Sequence, residues 1–186
     1  MFFELRIQKT YKQKIDKNIF IDSKINDNTN GWVEYNSLKK FDLSQFSNIF
    51  DIGTHTGSFI VPATYYRNLI DNKCKIFAFE PLQENFKILT KNCKRFNRQV
   101  NLFNAAIYDR NGPIEFEIGM STTTSRISEV NPFKISLDGK KRPLSKTKRN
   151  VEVNCLDILL FEKFIKDNCL MKLDCEGSEY QILNRL

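Results

Sequence analysis

A turn bounded by two glycines, Asp51-Ile52-Gly53-Thr54-His55-Thr56-Gly57, and a carboxylate 23 residues beyond it, Glu80, are the parts of this 186-residue sequence that most directly suggest chemistry. A glycine right after a strand lets the chain turn tightly, and a second lets helix, strand and ligand approach closely. A Gly-x-Gly-x-x-Gly turn for a pyrophosphate would need glycine at position 55, where His55 stands, which speaks against NAD or FAD. A nucleoside without a pyrophosphate does not need that glycine. Glu80 lies near the roughly 20-residue spacing at which an acid accepts hydrogen bonds from ribose hydroxyls. A carboxylate can take both vicinal hydroxyls. Singly, the turn is an ordinary strand-to-helix connection and Glu80 a solvated acid favoured by a helix N-terminus. Together they point to a nucleoside.

A second acidic cluster, Asp174-Cys175-Glu176-Gly177-Ser178-Glu179, follows another apolar run. Asp174 and Glu176 are candidate bases for a hydroxyl, while Glu176 and Glu179 serve equally well as first-turn helix acids. His55 has the free pKa, about 6.5, of a general base, yet a lone histidine is more often a polar loop residue. Two or three of these carboxylates could hold a divalent ion, but nothing in their spacing demands one, and no metal is expected.

These residues need strands to end at them. Asn48–Ile52 reads as a buried strand, Ser58–Leu69 as a helix with Pro62 in its first turn, and Cys74–Phe79 as a second strand. Pro81 suits the first position of the next helix, whose apolar face is Leu82, Phe86, Leu89, Cys93 and Phe96. Val100–Ile107 is a third strand. Ile114–Ile118 alternates as a strand with one wet face, and Val151–Val153 is expected to pair with it. The stretch Ser121–Ser125 reads as loop, Leu156–Lys166 as helix, Leu170–Asp174 as a fourth buried strand and Ser178–Leu186 as helix. Strands alternating with helices give an α/β fold with a parallel sheet, and ligands in such sheets sit at the carboxyl ends of the strands. Asp51-Ile52-Gly53, Glu80-Pro81, Asn104-Ala105-Ala106 and Asp174-Cys175-Glu176-Gly177 occupy those ends.

Composition sets the frame. With 41% hydrophobic, 12% aromatic and 27% charged residues, the chain is neither disordered nor fibrous. No apolar run approaches the roughly 20 residues needed to cross a bilayer, and Glu4 and Arg6 interrupt any signal-peptide core. A cytoplasmic protein without membrane contact is expected. Five cysteines without a Cys-x-x-Cys pair argue for core thiols rather than a disulfide framework or a zinc knot. Of the net +7, residues 134–149 carry +6: seven basic residues against Asp138. That segment meets phosphate or an acidic partner, or is a solvated loop.

In order, Phe50–Gly57, Phe77-Ala78-Phe79-Glu80-Pro81, Asn104-Ala105-Ala106, Leu156-Asp157-Ile158-Leu159 and Lys172-Leu173-Asp174-Cys175-Glu176-Gly177-Ser178-Glu179 resemble the motifs of the FkbM family of methyltransferases, and Lys-x-Asp-x-Glu-Gly-x-Glu is the most diagnostic block. The resemblance covers residues 47 to 186. It implies a Rossmann-like, mostly parallel sheet binding S-adenosylmethionine. Asp51, Gly53, Thr54 and Gly57 would serve the methionine end, Glu80 and Pro81 the ribose side, Asn104 and Ala105 the adenine, with Asp174 and Glu176 catalytic near the methyl group. His55 departs from the small or amide residue expected there. The implied sheet order is 3-2-1-4, with a small antiparallel hairpin. Residues 1–46 would form an N-terminal cap, and 47–186 a partial domain with a basic insertion at 119–150.

A full sheet of this type has about seven strands, so a chain truncated at its C-terminus is expected. Strand four would be an open edge, needing a partner chain such as a second copy, a swapped element or the N-terminal segment to cover it. The resemblance implies O-methylation of a small molecule or sugar. A second reading keeps the fold and turns to RNA through residues 134–149, where only Phe133 is at hand for stacking. A third makes the chain a binding module without turnover.

Overall fold

The computed structural model describes residues 10–16, 19–24, 38, 40–70, 74–96, 99–119, 122–129, 133–135, 141–143 and 149–186. It opens with an antiparallel hairpin, β1 (Thr10–Asp16) and β2 (Ile19–Lys24), whose second strand lies against the two helices that follow. β3 (Asn48–Ile52) is buried along its whole length. After the glycine turn comes α1 (Ile60–Ile70), with Pro62 in its first turn, where a missing N–H is harmless. β4 (Lys75–Phe79), α2 (Gln83–Cys93) and β5 (Val100–Phe103) complete the first half. Pro81 lies two residues before α2 rather than at its first position, because the Glu80 side chain takes the Leu82 N–H and delays the helix.

The apolar run expected as one strand, Val100–Ile107, is two. β5 ends at Phe103 and β6 (Ala106–Tyr108) starts a different sheet. Asn104 marks the break: its Nδ2 donates to the carbonyls of Glu80 (2.8 Å) and Pro81 (3.0 Å). β7 (Gly112–Ile118) and β8 (Arg126–Ile127) follow. In the basic segment, β9 (Phe133–Ile135) and β10 (Lys141–Pro143) form a two-stranded ribbon, while residues 136–140 and 144–148 lie outside the described residues. β11 (Arg149–Asp157) is longer than Val151–Val153. Leu156 and Asp157, expected in a helix, pair with Ile107 and Tyr108 instead. Asp157 then accepts from the Leu159 N–H and starts a 3-10 turn at Ile158–Phe161, leaving only the four-residue α3 (Glu162–Ile165). β12 (Cys169–Leu173) and α4 (Glu179–Arg185) close the chain.

The main sheet is parallel throughout in the order β12-β3-β4-β5, which is the expected 3-2-1-4. Beside it stands a second sheet, β6-β11-β7-β8, in which β11 runs parallel to β6 and antiparallel to β7. The small hairpin expected from the sequence is thus the centre of a four-stranded mixed sheet. Among the described residues, no strand pairs with the outer side of β12.

Pleating sorts the parallel strands onto two faces. Ile49, Ile76 and Ala78 pack under α1 and α2, where Leu89, Cys93 and Phe96 supply the helical face. Phe50, Ile52, Phe77 and Phe79 point the other way, toward Ile158, Phe161 and Ile182. There Phe50 stacks on Phe77 at 4.7 Å and Phe79 on Phe103 at 4.8 Å, with Phe161 set edge-on against all four rings. Each buried ring contributes about 1.5–3 kcal/mol. All five cysteines are free thiols, and burial pushes the Cys93 thiol up to about 12, so it stays protonated and packs as a small apolar group.

Candidate functional site

The main sheet changes direction of growth between β3 and β12: from β3 the chain adds β4 and β5 on one side, then returns to place β12 on the other. A cavity of about 280 Å³ opens at the carboxyl ends of β3, β4 and β12, at this switch point. The mixed sheet supplies part of its wall through Phe116, Ile127 and the stretch Thr122, Thr124 and Ser125.

The glycine turn is built against both neighbouring strands. Gly53 has φ +80, and a Cβ there would lie 2.1 Å from the Asp174 carbonyl oxygen, so no other residue fits. The N–H groups of Gly53 and Thr54 both donate to the Phe79 carbonyl at 3.1 Å. Asp51, wholly buried, accepts from Thr54 Oγ1 at 2.6 Å. Gly57, at φ +99, lets the turn close on α2: a Cβ would meet Leu89 at 3.1 Å. His55 also has positive φ, at 52°, and its Nε2 lies 3.0 Å from Thr122 Oγ1, linking the turn to the mixed-sheet side of the cavity.

Glu80 faces this turn. Its Oε2 accepts the His55 N–H at 2.9 Å, and its Oε1 accepts the Leu82 N–H at 2.9 Å and Asn85 Nδ2 at 3.1 Å. Burial pushes its carboxyl above the ordinary range, opposed by the charge of His55 and then by the donors. A carboxylate offers roughly four lone-pair sites, and three are used by the protein. The remaining acceptor capacity is on Oε2, which takes a single protein donor.

At the tip of β12 three acids stand in different settings. Glu179 accepts the N–H groups of Cys175 and Gly177, both at 2.8 Å, and so caps its own loop. Glu176, at φ 54, lines the cavity. Asp174, its side chain 59% exposed, lies 3.4 Å from Lys172 Nζ, which also reaches Asp51 Oδ1 at 3.3 Å.

Gly53, Glu80, Pro81, Ala105, Asp174 and Glu176 are thus brought together around one cavity. Asp51, Thr54 and Gly57 shape the turn beneath it, and Asn104 holds the Glu80–Pro81 corner from a neighbouring groove. Lys172, Ser58, Thr122, Thr124 and Phe116 line the cavity without having been singled out as site residues. Lys172 was within reach of sequence reasoning, since a residue two before Asp174 on a strand shares its face. The Thr and Phe positions come from tertiary fold-back and leave no local signal. Among the described residues, no group of three His, Cys, Asp or Glu could hold a metal ion, and no helix is long and apolar enough to cross a membrane.

A family profile described as "Methyltransferase FkbM domain" matches residues 51–185. No curated protein matches the chain. Among solved structures, P. horikoshii TYW2 in complex with MeSAdo is similar at 15% identity and a TM-score of 0.44, over 53% of this chain and 37% of that one. The Pyrococcus abyssi tRNA (uracil-54, C5)-methyltransferase in complex with S-adenosyl-L-homocysteine is similar at 14% identity and a TM-score of 0.38, over 50% of this chain and 23% of that one. The match therefore spans well under half the length of either protein.

Proposed function

The chain belongs to the FkbM family of methyltransferases, and from that membership we propose that it moves a methyl group from S-adenosylmethionine to an oxygen of a small molecule or sugar. The observation that carries this reading is the Glu80 carboxylate, buried at the cavity and joined to the glycine turn through the His55 N–H at 2.9 Å. The residues fit a nucleoside with a charged tail. Glu80 has one acceptor site left for a ribose hydroxyl. Pro81, Leu82, Ala105 and Ile127 offer apolar surface for a base. Lys172, Asp174 and Glu176 give charged groups for the tail and the acceptor.

When bound, the sulfonium supplies an electrophilic methyl. The chain's own contribution is to hold the acceptor oxygen in line within about 3–3.5 Å and to take its proton. Glu176 and Asp174, both of which line the cavity, are the candidates for that base. The hydroxyls of Thr122, Thr124 and Ser58 line the same cavity and suit an acceptor with several hydroxyl groups. Phe79, Phe116 and Ile107 help exclude water.

Calorimetric titration with S-adenosylhomocysteine tests the reading. Glu80→Ala is expected to weaken binding at least tenfold, about 1.4 kcal/mol. Glu80→Gln, which keeps the shape of the side chain, guards against loss of fold. Unchanged affinity in both variants would count heavily against the assignment. Binding with no turnover on any hydroxyl acceptor would leave a nucleoside-binding module instead.

A further inference from the structure

The three donors that hold Glu80 are not alike. Two are backbone N–H groups, of His55 and Leu82, whose direction the chain fixes. The third is the side-chain amide of Asn85, in the first turn of α2, whose Nδ2 donates to Oε1 at 3.1 Å. Asn85 is 1% exposed, and its other amide atom, Oδ1, is buried with no hydrogen-bond partner. Buried acceptors are rarely left unmatched, and one that is calls for an explanation. The two ends of an amide are close in shape, so a half-turn about its last rotatable bond exchanges Oδ1 and Nδ2 at little steric cost. Among the described residues, Glu80 alone decides which way this amide faces.

The carboxyl group sets that choice by its proton. As a carboxylate, Glu80 only accepts, and Asn85 must turn Nδ2 toward it. As an acid it has an O–H to donate, and the reversed amide presents Oδ1 to take it. In either state one hydrogen bond joins the two side chains and one amide atom is left over. The surroundings thus accept Glu80 with or without its proton, and burial favours the proton. His55, on the glycine turn, opposes burial through its charge. The other charged groups nearby are engaged or stand apart. Asp51 lies beneath the turn and accepts from Thr54. Glu84 and Lys87 of α2 line the neighbouring groove, where Glu84 meets Arg149 at 3.7 Å. On the mixed sheet Arg126 pairs with Glu117, and Lys172, Asp174 and Glu176 stand on the β12 side of the cavity.

A ribose hydroxyl shifts this balance. It donates to Oε2, and a hydrogen bond to an ionised acceptor is roughly twice as strong as one to a neutral group. We propose that binding of the nucleoside expels one proton from Glu80 and that Asn85, a positioning residue, turns its amide to hold the carboxylate that remains, an inference that rests on the cofactor reading above. The ligand hydroxyl keeps its own proton and shares it with Oε2. The proton lost from Oε1 passes to solvent. The chain then takes up the nucleoside more tightly as pH rises, until Glu80 is already ionised in the free chain.

Calorimetric titration of the full chain with S-adenosylhomocysteine, in phosphate and in Tris at matched pH, counts the protons released. The range is about pH 5.5–7.5, below that of a free α-amino group. Wild type is expected to release a proton on binding, with affinity rising up to about tenfold per pH unit. Glu80→Gln, which keeps the shape and cannot ionise, should bind more weakly and without release. His55→Asn, which suits the left-handed backbone at that position, should still release the proton. Asn85→Leu, which neither donates nor accepts, is expected to move the rise in affinity to higher pH, because the carboxylate loses the stronger of the two bonds. A side chain that only packs would lower affinity without moving the rise. If the leucine variant does not fold, Asn85→Ala decides. Binding without release in wild type, release that persists in Glu80→Gln, or release lost in His55→Asn overturns the proton assignment while leaving the nucleoside reading intact. A rise that does not move overturns the part given to Asn85. If wild type does not bind S-adenosylhomocysteine, the cofactor reading falls and this inference with it.

Discussion

The two charged walls of the cavity are built on opposite terms. Around Glu80 the polar groups are buried and engaged: a carboxylate with three protein donors and a turn with no room for a side chain at Gly53. Around Asp174 and Glu176 the groups are partly exposed, and the Asp174 contact with Lys172 is long, at 3.4 Å. On the first wall, binding and folding draw on the same hydrogen bonds. On the second, a charge can change with little cost to the fold. Function and stability should therefore separate by side of the cavity.

The largest test is Gly53→Ala. Its Cβ would lie 2.1 Å from a backbone oxygen at a positive φ, and overpacking together with a left-handed conformation is expected to cost about 3–4 kcal/mol. For a chain of this size, that lowers the melting temperature by about 10 °C. An unchanged melt would mean that the first wall yields as easily as the second. Glu176→Gln should behave in the opposite manner, with turnover falling about 100-fold and the melting temperature staying within about 2 °C. Loss of fold in that variant would erase the contrast.

Glu179→Ala is intermediate, because this acid caps two N–H groups of the second wall. A loss of about 1–2 kcal/mol in chemical denaturation is expected. A loss smaller than about 0.5 kcal/mol would assign the loop's shape to its positive-φ residues instead.

The smallest effect is a trend with pH. Burial raises the folded-state pKa of Glu80 above its unfolded value, so the folded chain holds that proton more tightly. The protonated acid therefore favours folding below the unfolded pKa, and this advantage is lost as pH rises through the raised folded value. Melting curves of Glu80→Gln against wild type should shift in favour of the glutamine as pH rises above about 4.5. A shift of opposite sign would mean that the donors outweigh burial.

Much of this site was visible in the sequence because it is local. The turn from Asp51 to Gly57 and the acid at Glu80 each sit where an apolar run stops, and a parallel sheet brings adjacent strand ends together. What could not be read depends on distant pairing. Val100–Ile107 looks like one strand, and only the Asn104 bonds to the Glu80–Pro81 corner and the pairing of Ala106 with Cys155 break it in two. Leu156 has helical surroundings in sequence, yet its pairing with Ile107 holds it in a strand. Glu176 and Glu179 could not be told apart by spacing. The structure separates them through the two N–H groups that only Glu179 receives.

Phe161 lies on the segment that leaves the mixed sheet, yet its ring is wedged against Phe50, Phe77, Phe79 and Phe103 of the parallel one. One side chain thereby bolts two independently paired halves together at a point outside the ligand chamber. The join between those halves thus runs partly through a ring that does not line the cavity, so Phe161→Ala is expected to loosen the join while leaving every cavity-lining side chain in place.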